Sequence, residues 1–260
     1  MKPARSCASY PLADGVLALP GGFALLTASR VLLCADAHLG YEDVMGGGAG
    51  LPLWSTDEIT ASIALAAERS GAREIVFLGD AIHGAALSAG AARAVGGALD
   101  ALRARAVVTV IAGNHEGRSR GVAVLGPTVE AAHRDGWTLA HGDRPALEQG
   151  ARTIIGHLHP AIRLGGDASV QAFIAARTLV VVPALTPYSP GLDVAGDACA
   201  DALGAWNVRT SDAHVVGATA ERVYPFGSLS TLRAGAYLRD APEPLGTRRY
   251  LRPDGAPRSR

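Results

Sequence analysis

Lysine is almost absent from this chain. Lys2 is the only one, and arginine supplies the rest of the 24 basic residues, which 24 acidic residues balance. The formal net charge of +0 excludes a protein whose whole surface tracks a polyanion, because that requires a broad field of one sign. Aromatic residues are scarce, at 5%. Cysteine occurs three times, as Cys7, Cys34 and Cys199. So sparse and odd a set excludes a disulfide framework and predicts a reducing, cytoplasmic setting. No long hydrophobic run survives inspection: the apolar stretch from Val16 to Leu26 is broken by Pro20-Gly21-Gly22, so neither a membrane span nor a signal peptide is expected. What is abundant is glycine, with 32 residues, and alanine. With 48% hydrophobic and 18% charged residues, a chain of 260 residues is long enough for one sizeable core. No repeat or linker divides residues 1–230, which read as a single domain. Residues 231–260 carry seven Arg against three carboxylates among Pro and Gly, and read as an Arg-rich, loosely ordered C-terminal segment.

Against that background five short clusters stand out, in order: Asp36-Ala37-His38, Gly79-Asp80, Gly113-Asn114-His115-Glu116, Ala140-His141-Gly142 and Gly156-His157-Leu158-His159. Any one of them alone reads as turn or capping residues. Together they differ, because each follows an apolar run: residues 31–35, 75–78, 107–111, 137–139 and 153–155. Short apolar runs bounded by Gly and polar residues predict buried strands. Polar sets at the C-terminal ends of several buried strands can converge on one rim of a sheet, where sites form in α/β architectures.

The connecting segments fit this reading. Val16–Leu19 and Phe23–Leu26 predict a hairpin. Residues 40–54 are Gly-rich and predict a loop over the site, with Glu42 and Asp43 facing solvent. Ser55-Thr56-Asp57-Glu58 reads as a capping box with Ser55 as N-cap, opening a helix to about Arg69 that Gly71 stops. A second helix is expected over about 85–105. This alternation predicts a parallel sheet with right-handed crossovers over 31–112. After Trp137 strands dominate, expected at 153–156, 161–164, 178–182, 205–208 and 215–218. The expected class is α/β, with two packed sheets and helices outside.

Asp, Asn and His without thiolate suit divalent Mn²⁺, Fe or Zn²⁺, with Mn²⁺ the first choice. Two such ions against the carboxylates of Asp36 and Asp80 leave a net positive site for a phosphate ester. Two metals roughly 3.5–4 Å apart lower the pKa of a shared water and neutralise charge on the phosphoryl oxygens. His115 follows a ligand-type residue, so alternation turns it towards substrate, where it can protonate a leaving oxygen, and Glu116 can polarise it. His83 and Arg118 are candidates to contact the phosphate. His133 and His214 have no motif around them and read as surface or loop residues.

The ordered set Asp-x-His, Gly-Asp, Gly-Asn-His-Glu, His, Gly-His-x-His resembles the calcineurin-like metallophosphoesterase superfamily over residues 31–160. The resemblance implies an α/β/β/α sandwich with a dinuclear site. Asp36, His38, Asp80 and His159 match the ligands of one ion; Asp80, Asn114, His141 and His157 match those of the second, with Asp80 bridging. His115 matches the catalytic His. Residues 35–42, 79–83 and 156–162, with Pro183-Ala184-Leu185 and Gly191-Leu192-Asp193-Val194, are more closely similar to the DNA ligase-associated metallophosphoesterases. That likeness implies phosphodiester hydrolysis, single-stranded DNA as substrate, and DNA ligase and helicase partners in repair. The chain departs from the pattern at Ala37, Gly84 and Glu116, none of which removes a ligand. A neutral surface keeps a small nucleotide or phosphomonoester as the alternative substrate.

Overall fold

A computed structural model of the chain describes residues 8–84, 86–115, 122–145, 150–165 and 168–240. In the first sheet β1 (Tyr10–Ala13), β2 (Val16–Leu19), β3 (Phe23–Leu26), β4 (Val31–Cys34), β5 (Glu74–Leu78), β6 (Val107–Ile111) and β7 (Thr128–Val129) lie side by side in chain order. The strands from β1 to β4 form an antiparallel meander, and those from β4 to β7 run parallel. Helices α1 (Tyr41–Met45) and α2 (Trp54–Ser70) connect β4 to β5, and α3 (Ala89–Arg103) connects β5 to β6. A short helix α4 (Val122–Leu125) precedes β7.

The second sheet holds β8 (Ala131–Arg134), β9 (Trp137–Ala140), β10 (Thr153–Ile155), β11 (Pro160–Gly165), β12 (Ala168–Ala175), β13 (Leu179–Val181), β14 (Leu192–Asp193), β15 (His214–Ala218) and β16 (Val223–Ser228). Strand β10 is parallel to both β9 and β13, which puts its C-terminal end on the same rim as theirs. Helix α5 (Asp197–Ala205) follows β14, and α6 (Leu229–Asp240) follows β16.

Side-chain alternation builds three apolar layers from these two sheets. In β4 and β5, Leu33, Val76 and Leu78 face Leu139, Ile154, Phe173, Val180 and Val216 of the other sheet. Their neighbours Leu32, Cys34, Ile75 and Phe77 pack instead on Ile59 and Ile63 of α2 and Val95, Leu99 and Leu102 of α3. Beyond the second sheet, Ile155, Val181 and Val215 pack on Cys199 and Leu203 of α5 and Leu229 of α6. Strands buried on both faces explain the unbroken apolar runs before the motifs. Cys34 is a wholly buried core residue, and burial, with Asp36 adding to it, pushes its thiol up. Arg134 of β8 makes a bidentate ion pair with Glu74 of β5 (2.8 and 2.9 Å), tying the edge strand of the second sheet to an inner strand of the first.

Several local expectations need correction. Ser55 is not the N-cap of α2: it lies inside the helix, and the N-cap position falls to Leu53, which has no side-chain cap bond to offer. Glu42 takes the role from a distance, accepting from the Ser55 amide (2.8 Å) and hydroxyl (3.0 Å). Asp43 serves α3 likewise, accepting from the Ser88 amide and hydroxyl at 2.8 and 2.7 Å, while Ser88 Oγ accepts from Ala91. Glu42 and Asp43 are therefore buried rather than solvent-facing, and they lie on a short helix within the stretch read as a loop. Gly71 does end α2, in the left-handed conformation (φ 59°). The second helix is shorter than expected, at Ala89–Arg103. Residues 205–208 form no strand, because Ala205 ends α5 and Asn207 takes a positive φ of 56°. Helix α6 carries residues 231–240 of the segment read as loosely ordered, and 241–260 lie outside the described residues. Among the described residues, no helix is long and apolar enough to cross a membrane.

Candidate metal centre

The five clusters meet on one rim, where β4, β5, β6, β9 and β10 end. Backbone bonds lace the loop after β4 to the loop after β5: His38 N–H donates to Asp80 O (2.9 Å) and Leu39 N–H to Ala81 O (2.9 Å). On its other side the same loop receives Leu185 N–H at Ala35 O (2.9 Å) and Thr186 N–H at Asp36 O (3.1 Å). The lacing holds an unfavourable backbone. Asp36, His38, Asp80, His157 and His159 all have positive φ, between 43° and 64°, so most of the non-glycine residues that do so in the described chain are candidate ligands. Each such residue costs about 1–3 kcal/mol, a strain that persists only where the surroundings over-determine it.

Two groups of three result. Asp36, His38 and His159 offer ligand atoms within 4.8 Å of one another, and so do Asp80, His141 and His157. Asp80 lies between the groups. Its Oδ1 accepts from the His115 amide (2.9 Å), and its Oδ2 is 3.5 Å from His141 Nε2 and 4.0 Å from His38 Nε2. Asn114 Oδ1 and His157 Nδ1 reach His141 Nε2 at 2.8 and 3.0 Å, adding Asn114 to the second group. The motif glycines make room for this convergence. A Cβ on Gly113 would collide with the Asp80 carboxylate, and one on Gly79 with the His141 ring.

The donor set fits divalent cations. Asp36 is wholly buried; its Oδ2 accepts from the His157 amide at 2.8 Å, but Oδ1 has no hydrogen-bond partner. A buried carboxylate oxygen so left is costly unless a cation completes it. His159 Nε2 stands 3.4 Å from that atom. Outer partners orient the imidazoles: His141 Nδ1 donates to Leu78 O (3.1 Å), and His159 Nδ1 bonds Ser189 Oγ (2.8 Å). Burial lowers His38 to about 3, against the pull of Asp36, with His159, His115 and His83 adding to the lowering. His157 is lowered by burial and then by His141. Both imidazoles are neutral near pH 7, the form that binds metal.

His115 is exposed and joins the site through its ring: Nδ1 lies 3.1 Å from His83 O, and the ring centroid is 4.9 Å from that of His38. His83 is part-buried, its Nδ1 3.1 Å from His38 Nδ1, so it belongs to the site rather than to an exposed loop. With His38 and His115 it forms a third group of possible metal-binding side chains. Glu116 and Arg118 lie outside the described residues. A pocket of about 170 Å³ opens here, lined by His38, Tyr41, His83, His115, His159, Thr186, Tyr188 and Ser189. The sequence reading missed Thr186, Tyr188 and Ser189. The available signal was their position between Pro183-Ala184-Leu185 and Gly191-Leu192-Asp193-Val194. His133, on β8, is exposed, whereas His214, on β15, is half-buried and is lowered by that burial.

No family model and no curated protein matches the chain. A solved structure does: that of Pseudomonas putida nuclease MPE, with a TM-score of 0.60 and 21% identity over 81% of this chain and 94% of that one. The two chains share a fold. Yfce, a phosphoesterase from E. coli, aligns with a TM-score of 0.38 and 19% identity over 61% of this chain and 82% of its own. That second alignment is too loose to bear on the fold.

Proposed function

We propose that this chain is a phosphoesterase dependent on two divalent metal ions, Mn²⁺ by preference, and that it cleaves phosphodiesters. One observation carries the reading: two buried Asp/His groups face each other across Asp80, with Asp36 Oδ1 left for a cation. The fold shared with a protein described as a nuclease supports it. Asp36, His38, Asp80 and His159 would hold one ion, and Asp80, Asn114, His141 and His157 the other. Bound there, the ions supply an activated water and neutralise charge on the phosphoryl oxygens.

The remaining chemistry falls to the side chains. His115 is the general acid. As the imidazolium it keeps Nδ1–H on the His83 carbonyl and delivers the Nε2 proton to the leaving oxygen. The bond from its amide to Asp80 Oδ1 ties the acid to the carboxylate between the two groups, so metal and proton donor keep one register. His83, within the pocket, can contact the phosphate. Single-stranded DNA is the natural substrate class we favour, within repair and beside a DNA ligase and helicase, as the motif likeness implies. The net charge of +0 favours a small nucleotide or phosphomonoester as the second reading.

Mn²⁺-dependent turnover of bis-p-nitrophenyl phosphate beside p-nitrophenyl phosphate, by wild type and His115→Ala, tests this. Preference for the diester is expected. In His115→Ala, turnover of a diester with an alkoxide leaving group, thymidylyl-thymidine, is expected to fall about 10²–10⁴-fold, while p-nitrophenyl esters, whose leaving group departs without a proton, fall far less. Preference for the monoester moves the reading to a phosphatase. Full activity of His115→Ala on the alkoxide-leaving diester overturns the assignment of the acid.

A further inference from the structure

Beside the metal centre the rings do not stop at the histidines. His115 stacks towards His83 (centroids 5.3 Å apart, planes 29°), His83 meets Tyr41 (4.5 Å, 52°), and Tyr41 stacks on Tyr188 (4.0 Å, 15°). The array leads from the proposed general acid to a ring that is 41% exposed, and all four residues line the same pocket. In a chain with 5% aromatic residues and six tyrosines, two stacked at a catalytic rim are conspicuous. Tyr188 is also held. Its hydroxyl donates to Glu42 Oε1 (2.9 Å), a buried carboxylate that the Ser55 amide and hydroxyl fix in turn. With the hydroxyl tied down, the surface offered to a ligand is the ring itself, pre-oriented and costing little entropy to use.

We propose that Tyr188, backed by Tyr41, is a stacking subsite for an unpaired nucleobase attached to the phosphate under attack. This rests on the phosphodiesterase reading and adds what that reading leaves open, how a neutral chain selects a nucleic-acid substrate. A flat aromatic face binds a base of any sequence without a field of positive charge, provided the base is not already stacked in a duplex. Ordinary phosphate contacts would then be few, and selectivity would reside in the nucleoside next to the cleaved bond.

The test uses two diesters with the same leaving group, thymidine 5′-(p-nitrophenyl phosphate) and methyl p-nitrophenyl phosphate, with the Mn²⁺-loaded full chain. Wild type is expected to prefer the thymidine ester in kcat/KM. Tyr188→Ala is expected to lower that preference about tenfold, mainly through KM. Tyr188→Phe keeps the ring and is expected to retain it. A wild-type preference near one, or equal loss in both variants, overturns the subsite while leaving phosphoester hydrolysis standing. If wild type turns over neither ester, the enzymatic reading fails, and calorimetric binding of thymidine 5′-monophosphate against methyl phosphate decides the subsite. Tighter nucleotide binding that Tyr188→Ala abolishes supports it; equal affinities overturn it.

Discussion

Asp80 and His115 are joined by a 2.9 Å hydrogen bond from the His115 amide to Asp80 Oδ1, while the other oxygen of that carboxylate faces His141 and His38. One side chain thus positions both the loop of the proposed acid and the two candidate ligand groups. Asp80→Asn keeps the shape and removes the charge. It is expected to lower metal affinity by more than about 100-fold and to abolish turnover, since changes to outer partners alone reach that figure. Metal content of the purified variant after dialysis, by mass spectrometry, checks this; retention of two tightly held ions would refute the bridging role.

Gly113 permits the same carboxylate to occupy its place. Gly113→Ala puts a Cβ against Asp80, and Asp80 cannot move without leaving the site. The variant is expected to be destabilised by about 1–3 kcal/mol and to lose metal-dependent stabilisation. Thermal melts with and without Mn²⁺ read both effects. A Tm equal to wild type under both conditions would show that the loop yields freely.

Glu42 links the site wall to the start of α2. Burial pushes its carboxyl up, but hydrogen bonds from the Ser55 amide, its own amide, the Ser55 hydroxyl and Tyr188 outweigh this and hold it below the ordinary 4.5. A carboxylate lowered on folding stabilises fully above its unfolded value, and the contribution fades as pH falls through the folded one. Glu42→Gln is therefore expected to lower Tm most at neutral pH, with the gap to wild type narrowing below about pH 4. A gap that stays constant from pH 7 to pH 3 would contradict the electrostatic account.

Salt reports how many phosphates the substrate engages. If single-stranded DNA is bound through several phosphates, KM rises steeply with salt, by about 10-fold or more between 50 and 200 mM. A small nucleotide shows only a modest change. With a net charge of +0 and an aromatic subsite carrying much of the recognition, we expect a shallow dependence for a short oligonucleotide. A steep one would mean that a local basic surface, such as the arginines after residue 231, takes part.

The placement of the candidate ligands was legible in the sequence. Asp36, His38, Asp80, Asn114, His141, His157 and His159 follow apolar runs that prove to be strand ends on one rim. The parallel part of the first sheet follows from the strand–helix alternation over 31–112, and the two-sheet class from the frequent strands after Trp137. What was misread depended on partners far along the chain. Ser55 carries a capping-box pattern, but Glu42, 13 residues earlier, captures its amide. Glu42 and Asp43 look solvated in sequence because nothing local neutralises them; their partners come from α2, Ser88 and Tyr188. In place of the strand expected at 205–208 stand the last residue of α5 and the turn after it, since burial of Cys199 and Leu203 on the second sheet selects a helical face.

By itself, then, the sequence determined the chemistry on offer and its order: which residues have lone pairs for a cation, and which apolar runs must be buried, because period and residue type are local properties. Only the tertiary structure decided the groupings. That Asp80 stands between the two triads, that Asp36 Oδ1 is left without a partner, and that Tyr188 stacks on Tyr41 across 147 positions of chain follow from how two sheets and their loops pack. Distances between residues remote in sequence are set by that packing, and local patterns carry no record of it.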